Sequence, residues 1–137
     1  MADYLLDTTT FSFLMRDDVK VRARISALAS GDRIVVCSIV RGEILYGIER
    51  LATGRRRTAL ETKAGHLFSA IPCEAVPSTA ADEYAQLKRG AERAGTPLDE
   101  NDLWIAATAT SLGATLVTAD ADFSRLPGLA PPEDWTR

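Results

Sequence analysis

The sequence predicts an α/β fold in which a mostly parallel β-sheet lies between helices on both of its faces. Three observations predict it: short apolar runs alternate with segments of helical periodicity, the runs end at polar residues, and turn residues separate the elements. Alternating strands and helices connect right-handedly into βα units, so the strands are expected to be parallel. The length of 137 residues and the apolar share of 46% suit a single domain over 1–137.

The first half of the chain opens with a short apolar run, Tyr4-Leu5-Leu6, that predicts a buried strand ending at Asp7. Periodicity and turn residues then predict three helices and a second strand. In chain order these are a helix over 8–15, a helix from Asp17 or Asp18 to about 31, a strand over 33–37, and a helix capped by Ser38 that ends near Gly54.

The second half is expected to supply three further helices, an edge strand and a last buried strand. In chain order these are a helix from Arg57 to about Ile71, a proline-bounded edge strand over 72–77, a helix from Ser78 to Gly95, a helix from Asp99 or Asn101 to Gly113, and a strand over 114–118. The chain then ends in a polar tail that Trp135 is expected to anchor to the core.

Composition and missing motifs exclude several classes of function. No apolar run approaches the roughly 18 to 20 residues that span a bilayer, so we expect a cytoplasmic protein with no membrane partner. Cys37 and Cys73 show no CxxC spacing and are expected to be buried free thiols. A lone histidine, His66, excludes two-histidine nucleases and HExxH proteases, and no GxxxxGK[ST], GxGxxG or GxSxG motif is present.

Carboxylates gather where the predicted strands end. In an open parallel sheet the ligand crevice lies beyond the carboxyl ends of the strands. The acids expected at that edge, each following a strand or lying in the first turns of a helix, are Asp7, Glu43, Asp102 and Asp120. Carboxylates a few ångströms apart repel one another unless a cation lies between them, so the cluster predicts a metal site that these four acids form.

The donors expected at this site are all oxygens. Thr8, Ser38 and Thr118 lie beside or near the acids and add hydroxyl groups in support. Oxygen-only coordination suits Mg²⁺ or Mn²⁺, which commonly complete their shells with phosphate oxygens. Such ions activate water for phosphodiester hydrolysis, so the predicted reaction is metal-dependent cleavage of a phosphate ester.

Charge is unevenly distributed along the chain despite a net charge of −3. Residues 41–66 hold six basic and three acidic side chains, whereas the chain after Arg93 holds seven acidic and two basic ones. A basic surface next to an acidic metal site is typical of a polyanion-cleaving enzyme. The residues expected to contact the backbone of the polyanion are Arg50, Arg55, Arg56 and Arg57.

Four segments carry a resemblance to the PIN-domain ribonucleases, and more narrowly to the VapC-type toxins of bacterial toxin–antitoxin pairs. Leu5-Leu6-Asp7-Thr8 resembles the opening strand and first acid of that family, and residues 38–47 resemble its glutamate motif. Residues 102–109 are similar to its third-acid helix, and residues 116–123 to its fourth motif. The order and spacing of the four segments give the resemblance its specificity.

The resemblance implies a three-layer α/β/α PIN-like domain with Mg²⁺- or Mn²⁺-dependent endoribonuclease activity on structured RNA such as tRNA or rRNA. It further implies a homodimer that a small VapB-like antitoxin inhibits, and a metal held by the four acids. The sequence departs from the family at Thr9, where asparagine is common, and Asp122 is an alternative to Asp120 as the fourth acid.

Other interpretations of the same residues remain open. Asp7 could simply cap a helix, Glu43 and Asp102 could be favoured by helix dipoles, and Asp120 could begin a turn. The protein could be a catalytically silent PIN-like module that binds RNA or protein, or an acidic-pocket signalling module that binds Mg²⁺. Trp104 is expected in the core, and Tyr46 and Tyr84 in the core or a dimer interface.

Overall fold

The computed structural model describes residues 1–137 and has a four-stranded, all-parallel sheet. The strands are β1 (Asp3–Leu6), β2 (Arg33–Cys37), β3 (Cys73–Glu74) and β4 (Thr115–Val117), and their order across the sheet is β3-β2-β1-β4. Leu5 on β1 lies opposite Val35 on one side and Leu116 on the other. Because every strand runs in the same direction, all four carboxyl ends meet at one edge of the sheet.

Six α-helices and a short 3₁₀ helix connect the strands. They are α1 (Thr8–Met15), α2 (Val19–Ser26), α3 (Ser38–Glu49), α4 (Arg55–Ala70), α5 (Ala80–Ala94), α6 (Glu100–Leu112) and the 3₁₀ helix (Ala121–Arg125). Helix α5 packs along α6, whereas α1 contacts α2, α3 and α4. The expected α/β architecture is confirmed.

Burial of the two central strands shows that helices cover both faces of the sheet. Tyr4, Leu5 and Leu6 are buried in succession, and so are Val35 and Val36. Successive side chains of a strand point to opposite faces, so an uninterrupted buried run requires cover on both sides. These residues belong to one hydrophobic core of 27 buried side chains, which fixes the strand ends that carry the site.

Side-chain caps explain where several helices begin. The Asp18 carboxylate accepts a hydrogen bond from the Val21 N–H at 3.0 Å, as a helix N-cap does. The prediction of a Ser38 cap is wrong, because Ser38 is already the first residue of α3 and no side chain caps that helix. Helix α3 also ends before Gly54, which instead precedes the first turn of α4.

The carboxyl-terminal tail packs against the sheet as predicted. Trp135 is only 3% exposed, and its ring lies 5.2 Å from that of Tyr4. The Glu133 N–H donates to the Leu116 carbonyl, and the Glu133 carbonyl accepts from the Thr118 N–H. A parallel bridge between Val117 and Glu133 therefore extends the sheet beyond β4.

Two further expectations concern the cysteines and the membrane. Cys37 is a buried free thiol, but the expectation for Cys73 is wrong, because it lies on the two-residue edge strand β3 and is exposed. No helix of the structure has both the length and the apolar character needed to cross a membrane.

Candidate active site

Asp7 follows β1 and lies at the centre of the carboxyl edge of the sheet. It is 4% exposed, and its Oδ1 accepts a hydrogen bond from the Thr10 N–H at 2.8 Å, which caps α1. Burial raises the pKa of Asp7, against the lowering effect of hydrogen bonds from Thr118 and Thr10. Asp7 is therefore both a helix cap and a buried acid that lacks a positive partner.

Glu43 lies on α3, and two neutral side chains hold its carboxylate. The Thr8 hydroxyl donates to Oε1 at 2.5 Å, and the Asn101 amide donates to Oε2 at 3.2 Å. These residues lie on α1 and α6, so Glu43 joins three helices at the edge of the sheet. Neutral donors orient the carboxylate without cancelling its charge, which leaves that charge available to a cation.

Asp102 lies in the first turn of α6, and its backbone N–H donates to the capping carboxylate of Asp99 at 2.8 Å. Partial burial raises the pKa of Asp102 to about 7, and the negative charges of Asp99 and Glu43 add to the shift. Asp7 and Asp120 contribute in the same direction. The four predicted acids therefore influence one another electrostatically at a single site.

Asp120 lies beyond β4, where it caps the 3₁₀ helix. Its Oδ1 accepts from the Asp122 N–H at 2.9 Å, and its own N–H donates to the Thr118 hydroxyl at 3.0 Å. Asp122, the alternative fourth acid, is instead ion-paired with Arg125. Only Asp120 of these two acids raises the pKa values of Asp7 and Asp102.

The four acids have no positively charged partner within the protein. None of them forms a salt bridge, whereas eleven ion pairs occupy acids and bases elsewhere. No three Asp, Glu, His or Cys side chains converge as ligands of one ion, so water and substrate oxygens would fill much of its shell. All-oxygen donors with uncompensated charge fit Mg²⁺ or Mn²⁺.

Two grooves open beside Glu43 and share Thr8, Glu43 and Gly47. One of ≈ 540 Å³ runs between α1, α3 and α4 and has Arg16 and Arg56 on its walls. The walls of the other, of ≈ 600 Å³, combine apolar surface with hydrogen-bonding groups. These include the exposed Ser38, predicted as a supporting hydroxyl, which lines the groove without a side-chain hydrogen bond. Both grooves give solvent access to the carboxylates.

Sequence reasoning missed Asn101 and Arg16 as site residues. Asn101 precedes Asp102 directly and its exposed amide reaches Glu43, a contact across 58 positions of sequence. The signal that could have identified Asn101 as a site residue is its position next to an acid in the first turn of a helix. Arg16 follows α1 directly, and its place on the groove depends on how α1 packs against α3 and α4, which no local signal in the sequence gives.

The four predicted RNA-contacting arginines have different surroundings. Arg50 lines the groove of ≈ 600 Å³, Arg56 lines the one of ≈ 540 Å³, and Arg55 is exposed at the start of α4. Arg57 is only 22% exposed and donates to the Leu51 carbonyl while it pairs with Glu49. Its guanidinium is therefore used within the fold, and contact with RNA stays a prediction for the other three.

Arg57→Ala is expected to lower the free energy of unfolding by about 1 kcal/mol, because the buried part of the side chain and its bond to the Leu51 carbonyl are lost. Arg55→Ala is the matched control, since that exposed side chain makes no hydrogen bond or ion pair, and it should change stability by less than about 0.5 kcal/mol. Urea unfolding of both variants measures the difference. Equal stabilities would contradict the structural role of Arg57.

Comparison with known proteins shows similarity over nearly the full chain. The family model described as PIN domain matches residues 4–129. Ribonuclease VapC1 of Haemophilus influenzae (strain R2866) is 31% identical over 139 aligned residues, which cover 98% of each chain.

Solved structures show the same similarity. The structure of VapBC2 from Rickettsia felis bound to a promoter DNA fragment contains a chain with a TM-score of 0.87 and 26% identity, covering 97% of this chain and 98% of that one. DNA-bound VapBC from Salmonella typhimurium contains one with a TM-score of 0.83 and 30% identity, covering 98% and 99%.

Proposed function

The chain belongs to the PIN-domain family, and from that premise we propose that it is a metal-dependent endoribonuclease acting as the toxin of a toxin–antitoxin pair. One observation carries the proposal: Asp7, Glu43, Asp102 and Asp120 meet at the carboxyl edge of the sheet without any positive side chain to neutralise them. Curated relatives named VapC ribonucleases support the activity class.

The cation proposed for this site is Mg²⁺ or Mn²⁺, attracted by Asp7, Glu43, Asp102 and Asp120, with water and substrate oxygens completing its shell. When bound, such an ion supplies Lewis-acid activation of water and stabilises negative charge on a reacting phosphate. Thr8 and Asn101 orient Glu43, while the Thr10 backbone and Thr118 hold Asp7. These neutral hydrogen bonds fix the carboxylates in place before a substrate arrives.

The substrate we propose is structured RNA, with tRNA and rRNA as the first candidates. Arg16, Arg50 and Arg56 border the grooves beside Glu43. Cations placed there would bind phosphates on either side of the cleaved bond, while the acidic site receives the scissile phosphate once a metal is present.

The protein partner we propose is a VapB-like antitoxin, and we further propose that the toxin forms a homodimer. The similar solved structures are of VapBC from other bacteria, which supports the antitoxin. Sedimentation of the purified protein, alone and with the product of a neighbouring open reading frame, measures both associations. A monomer alone would contradict the homodimer, and failure to form a complex would contradict the antitoxin.

Cleavage of tRNA and rRNA fragments by purified protein with Mg²⁺ or Mn²⁺ tests the activity. Discrete products that disappear with EDTA are expected. Asp122→Asn is a matched control, because Asp122 pairs with Arg125 outside the acidic cluster, and it should retain cleavage. Activity that survives EDTA would contradict the metal dependence, and a folded, antitoxin-free protein that cleaves no RNA would contradict the function.

Mg²⁺ is expected to raise the melting temperature of the protein by several degrees at millimolar concentration. The ion binds the folded site and not the unfolded chain, and it relieves repulsion among the four carboxylates. Differential scanning fluorimetry with and without Mg²⁺ at pH 7.5 measures the shift. The same shift in a variant with Asp7 and Asp102 both changed to Asn would contradict binding at this site.

The metal-free protein should lose stability as pH rises from about 4 to about 7. Asp7 and Asp102 have raised pKa values in the folded state, so over this range the folded protein keeps protons that the unfolded chain releases. Acids whose pKa is lowered, such as Asp17 and Asp134, act in the opposite direction only below that range. Thermal melts in EDTA across pH should show the decline, and a flat or rising profile would contradict it.

A further inference from the structure

Tyr46 is exposed although it is large and aromatic. Its side chain is 64% exposed and lies on α3, three residues after Glu43. Residues three apart on a helix are neighbours on its surface, so the ring lies about 5–6 Å along the helix from the Glu43 position. Tyr46 lines the same ≈ 600 Å³ groove as Glu43. An exposed ring beside a reactive site needs an explanation that core packing does not supply.

The groove around Tyr46 combines apolar surface with hydrogen-bonding and charged groups. Besides Glu43 its walls include Thr8, Ser38, Asn101 and the positively charged Arg50. The Arg50 guanidinium is 5.7 Å from the centre of the Tyr46 ring. An exposed aromatic ring with an arginine beside it suits a nucleotide, which offers a flat base and a phosphate.

Two glycines form the floor of this groove and place no side chain in it. Gly42 and Gly47 lie inside α3 and line the groove, and a Cβ atom at either position would meet no atom within 4 Å. Glycine is a poorer helix former than alanine, so neither packing nor helix propensity accounts for these residues. Their effect is to leave open space on either side of Tyr46.

We propose that Tyr46, Arg50 and the floor formed by Gly42 and Gly47 bind one unpaired nucleotide of RNA next to the scissile phosphate. The base stacks on the Tyr46 ring and a phosphate pairs with Arg50. This inference rests on the proposed ribonuclease function and assigns the residues that would bind one nucleotide of its substrate. A base inside a duplex cannot stack on the ring, so the subsite selects single-stranded positions of a structured RNA.

Fluorescence anisotropy tests the subsite with a labelled single-stranded oligoribonucleotide of mixed sequence and its blunt duplex. The full chain is used with Mg²⁺ on an Asp102→Asn background, which blocks cleavage. Tyr46→Leu should weaken single-strand binding about tenfold and leave duplex binding unchanged, because stacking of one base is lost. Tyr46→Phe keeps the ring and should bind within about twofold of the parent.

Two further variants sharpen the test. Leu45→Ala removes the neighbouring exposed apolar side chain, which lies outside this groove, and should bind RNA like the parent. Gly47→Ala should raise the melting temperature through better helix propensity and yet weaken single-strand binding by filling the floor. If Gly47 had only a structural role, its substitution would not raise the melting temperature and lower single-strand affinity at the same time.

Equal single-strand affinity of Tyr46→Leu and the parent would overturn the subsite, and so would equal losses in Tyr46→Leu and Leu45→Ala. A variant with unchanged RNA affinity but altered self-association or antitoxin binding would identify Tyr46 as a protein contact and overturn it too. The proposed function is judged separately by metal-dependent cleavage with Asp102 intact. If that protein cleaves RNA but its affinity for RNA does not depend on Tyr46, only the proposed subsite is overturned.

Discussion

Asp102→Asn should reduce RNA cleavage by about a thousandfold or more while the protein stays folded. The substitution keeps the shape of the side chain and removes one of the four charges that would attract the cation. Stabilisation of the transition state by the cation is therefore lost. Initial rates on a cleaved RNA at saturating Mg²⁺ measure the loss. A rate within tenfold of the wild type would show that Asp102 is not a ligand.

The same variant is expected to be more stable than the wild type in EDTA at pH 7.5. Asp102 has a pKa of about 7 because burial and neighbouring carboxylates oppose its ionised form, so the folded wild type carries an unfavourable charge at that pH. Asparagine removes that charge. Opposite effects on activity and stability would separate a functional acid from one that only favours the helix dipole, because loss of such a charge lowers stability.

Trp135→Ala should lower the free energy of unfolding by about 3–5 kcal/mol, the usual range for removing a buried Trp or Phe side chain. Trp135 packs against Tyr4, and the Arg24 guanidinium lies 5.1 Å from its ring. Its indole N–H donates to Glu133, which also pairs with Arg24. The substitution therefore removes the side chain that holds the tail against β1 and β4.

Urea unfolding followed by circular dichroism measures this loss, with Trp135→Phe as the matched control. Phenylalanine keeps most of the apolar contact and loses only the hydrogen bond to Glu133, so it should cost about 1 kcal/mol. If Trp135→Ala unfolded at the same urea concentration as the wild type, the tail would contribute nothing to the core. Cleavage by the folded fraction reports whether the tail also steadies Asp120 beyond β4.

Local signals in the sequence were sufficient for much of the fold. The bounds of β2 were predicted as Arg33–Cys37, because a run of apolar residues between polar ones has few alternatives. Gly95 and Gly113 end α5 and α6 in left-handed conformations with φ values of 66° and 67°, as helix-ending glycines do. Asp7 was predicted to end a strand, and its place in the acidic cluster followed from parallel topology.

Contacts between distant segments could not be predicted in the same way. The bond from Asn101 to Glu43 joins two helices whose relative position depends on the whole core. Arg57 belongs to a run of three arginines, and nothing local distinguishes the one that turns inward to the Leu51 carbonyl. The difference between Asp120 and Asp122 likewise depends on Arg125, which pairs with only one of them.

The bridge between Val117 and Glu133 also bears on how this protein avoids aggregation. A parallel sheet exposes unpaired backbone groups at each lateral edge, and such edges template association with other chains. Here the tail covers the β4 edge, while the opposite edge strand β3 is two residues long and follows Pro72. Loosening Trp135 would uncover the longer edge. Variants of the tail should therefore form sheet-rich aggregates before they lose their helices.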